Sequence, residues 1–270
     1  MFWLCRTCGV EHARRERVCA ICADERQWVP ADGQQWASLG ELAAEGMTST
    51  VVEIEDGLLG VGASPPLGIG QLGKLVCGPA GSVLWDPSGF VDDAAVAAVA
   101  ERGPVAGIVA SHPHMFGAQV EWSRRLGGVP VYVNAADAEW VMRPDPVITY
   151  WSDTLELTPA LSVVQVGGHF PGSAVACWRD GADGRGVLLV GDTIFPNPDR
   201  RTVGFQRSYP NRIPLSAAVV QRIADTLATL SFDRVYGLFT NSIDADGAAA
   251  VQFSAARYIA WVRGDYDDLT

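Results

Sequence analysis

Two histidines lie one residue apart, directly after a stretch that is typical of a buried strand. Residues 105–110 are apolar or small, and His112, Pro113 and His114 follow them. Side chains of an extended chain alternate with period two, so the two imidazoles point the same way, and Pro113 stiffens the turn by fixing φ. Such a pair can place two ring nitrogens on one metal ion. A buried structural histidine beside a surface histidine is the simpler interpretation of this motif taken alone.

Two further motifs favour the metal. The chain has four histidines, and His169 lies in the run Gly-Gly-His-Phe-Pro-Gly. Asp192 follows another apolar run and a glycine. Together, the three motifs in this order favour a metal site over a structural histidine pair.

In these three motifs the sequence resembles the metallo-β-lactamase superfamily, over about residues 41–264. The first metal motif of that family is His-x-His-x-Asp-His, but Phe116 and Gly117 stand here in place of its last two ligands. The family's last histidine is missing from residues 235–240, whereas Asp86 matches its early strand-end aspartate. The resemblance implies that the ligands of one ion are all present, namely His112, His114, His169 and Asp192, and that those peculiar to a second ion are gone.

The resemblance also implies hydrolysis of an ester, thioester, amide or lactone of a small metabolite. A single Zn²⁺ would lower the pKa of a bound water and polarise a carbonyl. We assign catalytic roles to Asp192 and His114. Asp192, with no second ion to bridge, can be a ligand or can accept a proton from the water.

Two other functions fit the same residues. His, His and Asp also form the facial triad of non-haem iron oxygenases, so Fe²⁺ could replace zinc in an enzyme that resembles the persulfide dioxygenases of the superfamily. A binding protein without catalysis that retains the scaffold and a metal is the other alternative.

Four cysteines near the start of the chain form two Cys-x₂-Cys pairs separated by ten residues. Cys5, Cys8, Cys19 and Cys22 can close a tetrahedral zinc shell. A redox role for one pair is the alternative, but no strand-then-helix context supports it. We predict a structural zinc site in a ribbon with its linker, residues 1–36, called the ribbon below. We expect His12 to be a surface residue, and Trp28 and Trp36 to dock the ribbon against the main domain.

A long loop, residues 196–214, follows Asp192 and is expected to border the site. We predict substrate contacts from Tyr209, Asn211 and Arg207 on this loop. Phe116 would present an apolar ring to the same site.

Short strand patterns and amphipathic helices follow one another through residues 37–270, which we predict to be the second domain. Helices are expected at residues 39–44, from Asp92 to Ala100, from Pro214 onwards and over residues 247–262. Two runs of strands, each followed by helices, indicate two packed sheets with helices outside. The resemblance makes this an α+β protein with the αββα metallo-β-lactamase sandwich and a small N-terminal zinc ribbon.

The charge and the apolar pattern of the sequence limit the kinds of partner that we expect for the protein. The net charge is −11 and the sequence pI is about 4.7, which argues against binding nucleic acid through the overall field. No apolar run approaches the roughly 20 residues that span a membrane, and the start of the chain lacks a signal-peptide pattern. We therefore expect a cytoplasmic protein that acts on a small molecule, with cysteines that are thiols or ligands.

Overall fold

The computed structural model describes residues 2–270, and the ribbon forms a small sheet of its own. Its elements are β1 (Trp3–Cys5), β2 (Glu11–His12), the four-residue helix α1 (Ala20–Ala23) and β3 (Trp36–Ala37). Both β2 and β3 pair with β1 in antiparallel register. Strand β3 extends one residue past the predicted domain boundary, and the division at residue 36 stays a prediction.

The first large sheet has seven strands. They are β4 (Thr48–Glu55), β5 (Leu58–Ser64), β6 (Gly73–Val76), β7 (Ser82–Trp85), β8 (Val105–Val109), β9 (Val131–Asn134) and β10 (Ile148–Trp151), in the spatial order β10-β9-β8-β7-β6-β5-β4. The pairs from β4 to β7 are antiparallel, and those from β7 to β10 are parallel. The parallel part brings the carboxyl ends of β7, β8 and β9 to one edge.

The second sheet has six strands. They are β11 (Thr154–Thr158), β12 (Leu161–Gln165), β13 (Ala174–Trp178), β14 (Val187–Val190), β19 (Arg234–Tyr236) and β20 (Ser242–Ile243), in that spatial order. The predicted long loop is partly ordered by two hairpins, formed by β15 (Phe195–Pro196) with β16 (Val203–Gly204) and by β17 (Gln206–Ser208) with β18 (Ile213–Pro214).

Helices α3 (Asp93–Ala100) and α4 (Gln119–Arg125) cover the outer face of the first sheet, and α6 (Ala217–Leu227) and α7 (Gly247–Arg263) cover that of the second. The short helix α2 (Leu39–Ala44) packs into the first of these layers, and the turn α5 (Gly181–Gly184) contributes to the layer between the sheets. Asp92 is the N-cap of α3 and accepts a hydrogen bond from the backbone of Ala95. Helix α6 begins three residues later than expected, because Pro214 belongs to β18 and Ser216 is the N-cap.

The core has three apolar layers, which confirms the predicted αββα sandwich. The inner layer joins the facing sides of the two sheets and includes Trp85 and Trp178. Leu84, the neighbour of Trp85 in β7, points instead into the layer beneath α3 and α4, as strand alternation requires. The third layer lies between the second sheet and helices α6 and α7. No helix within residues 2–270 combines the length and the apolar character that crossing a membrane requires.

The ribbon shares the layer beneath α3 and α4, so it is docked on the domain and has no separate core. Our expectation for Trp28 was wrong: it lies on a surface stretch after the second cysteine pair and is 45% exposed. Polar contacts add to this shared apolar layer. Glu11 is buried, accepts a hydrogen bond from the backbone of Val120 and pairs with Arg143 at 2.5 Å.

Candidate metal centre

The metal-site candidates come from loops that follow four strands. Asp86 follows β7, His112 and His114 follow β8, His169 lies on the loop between β12 and β13, and Asp192 follows β14. Strands β7 and β8 are parallel, so their carboxyl ends meet at one edge of the first sheet. The second sheet adds its two residues from the facing side.

The four predicted ligands converge. Asp192 Oδ2 lies 3.5 Å from His112 Nε2, 3.9 Å from His114 Nδ1 and 3.6 Å from His169 Nε2. The two nitrogens His114 Nδ1 and His169 Nε2 are 3.3 Å apart. Nitrogen and oxygen ligands at about 2.0–2.1 Å from a tetrahedral ion lie about 3.3–3.4 Å from one another. The spacing therefore fits one divalent ion at the centre of the group.

Asp86 and Ser111 orient His112. The Ser111 amide and hydroxyl donate to Asp86 at 2.6 and 3.1 Å, so the hydroxyl oxygen is left to accept from His112 Nδ1 at 2.9 Å. The lone pair of His112 Nε2, which is buried without a hydrogen-bond partner, then faces the other ligands. A side chain at Gly191 would overlap with Ser111, which explains the glycine before Asp192. The sequence carries no motif that marks Ser111 as part of the site.

The electrostatics of the group suit a metal. Burial lowers the pKa of His114 to about 4 and lowers that of His169 well below its usual range, so both imidazoles are neutral at pH 7. Burial alone would raise the pKa of Asp192, but the ring nitrogens of His112 and His114, 3.5 and 3.9 Å from its Oδ2, outweigh it and hold that pKa well below its usual range. Neutral imidazoles and an ionised carboxylate are the forms that bind a metal ion.

A second ion has no ligands at the positions where the family motif would place them. The backbone at Gly117 is left-handed, with φ of +51°, and any side chain there would overlap with the carbonyl oxygen of Pro87. Phe116 is 3% exposed and belongs to the core layer that holds the ribbon. At the end of β19, Lys74 Nζ donates to the carbonyl oxygen of Gly237 at 2.7 Å and brings a buried cation there.

The three loop residues predicted to bind substrate point in two directions. The Tyr209 hydroxyl is buried without a hydrogen-bond partner, and burial together with the nearby charge of Asp192 raises its pKa well above the usual range. Arg207 and Asn211 instead contact the ribbon: Arg207 Nε donates to Glu25 Oε1 at 2.6 Å, and Asn211 Nδ2 donates to the carbonyl oxygen of Glu25 at 2.7 Å.

The four cysteines of the ribbon form a second compact group. Cys5 and Cys22 have their sulfur atoms 3.5 Å apart, and those of Cys8 and Cys19 are 3.8 Å apart. Thiolates at about 2.3 Å from a tetrahedral zinc ion lie about 3.8 Å from one another, so this group fits zinc. Among residues 2–270, it and the histidine group are the two clusters of this kind.

The expectation of a surface His12 was wrong. Strand pairing places His12 opposite Trp3, and the imidazole is 2% exposed, with Nε2 3.4 Å from Cys19 Sγ. It stacks edge-on against Trp36, so this tryptophan is used inside the ribbon. Four cysteines complete a zinc shell, and the sequence therefore offered no reason to expect an imidazole beside it.

Comparisons with known proteins agree with this architecture. A sequence profile described as the metallo-beta-lactamase superfamily matches residues 75–237. The chain is 38% identical over 263 residues to a protein of Bacillus subtilis (strain 168), "Uncharacterized protein YmaE", and the alignment covers 96% of each.

Solved structures show the same fold at low identity. The structure of TMB-1 has a TM-score of 0.59 at 16% identity and covers 77% of this chain and 97% of that one. The metallo-beta-lactamase FIM-1 from Pseudomonas aeruginosa, solved in its mono-zinc form, has a TM-score of 0.54 at 18% identity and covers 77% and 95% of the two chains. Since the profile matches more than half of the chain and the Bacillus relative aligns with almost all of it, the chain belongs to the metallo-β-lactamase superfamily.

Proposed function

We propose that the protein is a metal-dependent hydrolase that acts on a small metabolite with one divalent ion, preferably Zn²⁺. The observation that carries this proposal is the group of three imidazole nitrogens and one carboxylate oxygen, four of whose separations are 3.3–3.9 Å. The ligands would be His112, His114, His169 and Asp192. When bound, the ion would supply a Lewis acid that polarises a carbonyl and lowers the pKa of a water.

The use of a single ion rests on the surroundings of the group. Gly117 has no room for a side chain, and Phe116 is turned into the core. A second dication would also face repulsion from the first with too few anionic ligands to offset it. FIM-1 in its mono-zinc form is a structure of the same fold with one zinc, which makes such a site reasonable here.

Asp192 and Tyr209 are the two side chains that would take part directly in the reaction. Asp192 is ionised and can hold the ion or accept a proton from the attacking water. The Tyr209 hydroxyl keeps its proton and lacks a partner, so it is free to donate a hydrogen bond to the oxyanion that develops on a substrate carbonyl. Both roles favour acyl transfer to water, as in esters, thioesters, amides and lactones.

The substrate size is inferred from the burial of the site. His112, His114 and His169 are each at most 2% exposed, so only a small group can reach their ring nitrogens. The cavity of about 390 Å³ that Tyr209 lines with Gln206, Arg212, Pro214 and Tyr258 has none of the four ligands in its lining. The negative net charge supports neither a nucleic-acid substrate nor an anionic surface as partner. A reduced four-cysteine group supports the cytoplasm as the compartment.

Metal analysis combined with a substrate screen tests the proposal. Protein purified without added metal is assayed for zinc and iron, and then with panels of esters, thioesters, amides and lactones. His169→Ala is the matched control, since it removes one ligand and leaves the ribbon intact. We expect hydrolysis of at least one class by the wild type and none by the control. If the histidine site holds iron and the protein consumes oxygen, we would conclude that it is an oxygenase and not a hydrolase. If the site binds metal but no panel gives turnover, we would conclude that it is a binding protein.

A further inference from the structure

The segment after the second cysteine pair reaches into the histidine site. Arg26 lies four residues after Cys22, is 5% exposed, and its Nη1 donates to the carbonyl oxygen of His169 at 3.1 Å. Its guanidinium also lies 3.5 Å from the ring centroid of Phe170, the next residue of the loop. A residue 143 positions away along the chain therefore holds the loop that carries a proposed ligand.

Arg26 is itself fixed within the ribbon. Asp24 Oδ1 accepts from Arg26 Nε at 2.5 Å, and Asp24 Oδ2 accepts from Nη2 at 2.9 Å. The planar guanidinium thus uses one edge for Asp24, one nitrogen for His169 and one face for Phe170. An arginine with all of these contacts is held in one orientation.

The same segment holds a second loop of the site. Glu25 accepts hydrogen bonds from Arg207 and Asn211, which flank Tyr209. On the other side of the ribbon, the amide of Glu11 donates to the carbonyl oxygen of Gly117 at 2.9 Å, at the end of the loop of His112 and His114. The ribbon therefore contacts three loops of the site.

We infer that Arg26 is a positioning residue, through which the metal-bound ribbon fixes the loop of His169 and strengthens metal binding at the histidine site. The inference rests on the metal site of the proposed function, but it does not depend on hydrolysis. Two metal sites that stabilise one shared arrangement are coupled, and the coupling is reciprocal: each occupied site tightens the other by the same factor.

The charge of Arg26 and its contacts with the loop should affect zinc affinity in opposite directions, so one substitution can tell the two effects apart. A cation near a dication opposes its binding, so removal of the charge alone would tighten the metal. Loss of the loop anchor would weaken it, and changes in the support of a ligand typically cost 10–100-fold in metal affinity. We expect Arg26→Met to lower the zinc affinity of the histidine site about tenfold, which is the sign opposite to the charge effect.

The experiment measures the zinc affinity of the histidine site by competition with a chromophoric chelator, on full-length protein whose ribbon retains its zinc. Arg15→Met is the matched control, because Arg15 also stacks on an aromatic ring, Trp3, at 3.5 Å but lies on the exposed side of the ribbon. We expect the control to equal the wild type. Occupancy of the histidine site should slow zinc loss from the ribbon in the wild type and not in Arg26→Met.

An Arg26→Met protein with ribbon zinc and unchanged or tighter binding at the histidine site would overturn the inference. If that variant loses its ribbon zinc, Asp24→Asn is tested in its place, because it keeps Arg26 but weakens the contacts that orient it. We expect this variant to bind zinc at the histidine site about threefold more weakly. An unchanged zinc affinity would overturn the inference. If the histidine site of the wild-type protein binds no zinc, both the inference and the proposed function are overturned.

Discussion

At the scale of single residues, the site contains some groups that short sequence motifs reveal and others that no motif reveals. His112, His114, His169 and Asp192 follow strands in short motifs, and the resemblance of these motifs to those of the family predicted that the four side chains meet. Ser111 orients His112 only because Asp86 takes both of its donors, a contact across 25 positions. No local pattern encodes such a contact.

Tyr209 supports a prediction that separates catalysis from stability. In Tyr209→Phe we expect hydrolysis of the best substrate to fall at least tenfold in kcat, since an oxyanion donor is lost. The melting temperature should stay equal or rise slightly, because a buried hydroxyl without a partner costs stability. Thermal melts and initial rates on the same preparation check both. A lower melting temperature with full activity per folded molecule would assign Tyr209 to packing.

Gly117 supports a second prediction at this scale. Restoring the family motif by Phe116→Asp with Gly117→His should not create a second metal site. The new side chain at 117 would overlap with Pro87, and a carboxylate at 116 would be buried in the ribbon's core layer. We expect a loss of stability of about 3 kcal/mol or more, with the metal content per chain unchanged. Elemental analysis that finds an additional ion in a stable double variant would contradict this.

At the scale of elements, the long loop after Asp192 is the clearest case of what sequence could not show. Its position next to a ligand led us to predict substrate contacts for three of its residues, and only Tyr209 has a polar group without a partner that senses the charge of Asp192. Arg207 and Asn211 contact Glu25, more than 180 positions earlier. Hairpin-rich loops with little hydrophobic periodicity take their shape from such distant partners, whereas helix α3 is indicated by its N-cap Asp92 and helix α6 by its apolar spacing.

The junction between ribbon and domain supports a prediction about an ion pair. Glu11 and Arg143 are 2.5 Å apart, with side chains 3% and 8% exposed. Burial raises the pKa of Glu11 to about 7, so the carboxylate is fully ionised only above that pH. At pH 9, Arg143→Met should destabilise the protein by about 3–5 kcal/mol, because it leaves a buried carboxylate without its partner. Glu11→Gln with Arg143→Met should recover a large part of that loss. Urea unfolding of the two single variants and the double variant measures the coupling, and strictly additive losses would contradict it.

Lys74, in strand β6, supports a prediction about pH. Burial lowers its pKa to about 8, from an ordinary value of 10.5. Between these values the unfolded chain binds more protons than the folded one, so the contribution of Lys74 to stability increases as pH rises. The wild type should therefore gain up to about 3 kcal/mol relative to Lys74→Met between pH 7.5 and 10.5. Urea titrations of both proteins across this pH range check the prediction. A difference in the free energy of unfolding that does not change with pH would contradict it.

At the scale of the whole molecule, two metal groups share one folded unit. We expect about two ions per chain, one in each group. Cys5→Ser or Cys22→Ser should remove about one zinc and lower the melting temperature, because metal binding contributes to folding in such small modules. His169→Ala should remove the other ion and leave the ribbon's zinc. Zinc content that is undiminished in both cysteine variants would refute the four-cysteine site.

The order of the two metal groups along the chain has a consequence for biosynthesis. The four cysteines of the ribbon are complete at residue 22, whereas His112, the first residue of the histidine group, is made 90 residues later. At about 5–20 residues per second, the interval is roughly 5–18 s. During this time the thiolates are the metal ligands that the growing chain has to offer, and soft sulfur donors select zinc. The ribbon is therefore expected to take its ion first, and the histidines are supplied later from whatever metals the finished protein meets. One polypeptide could in this way hold two different metals without any chaperone to sort them.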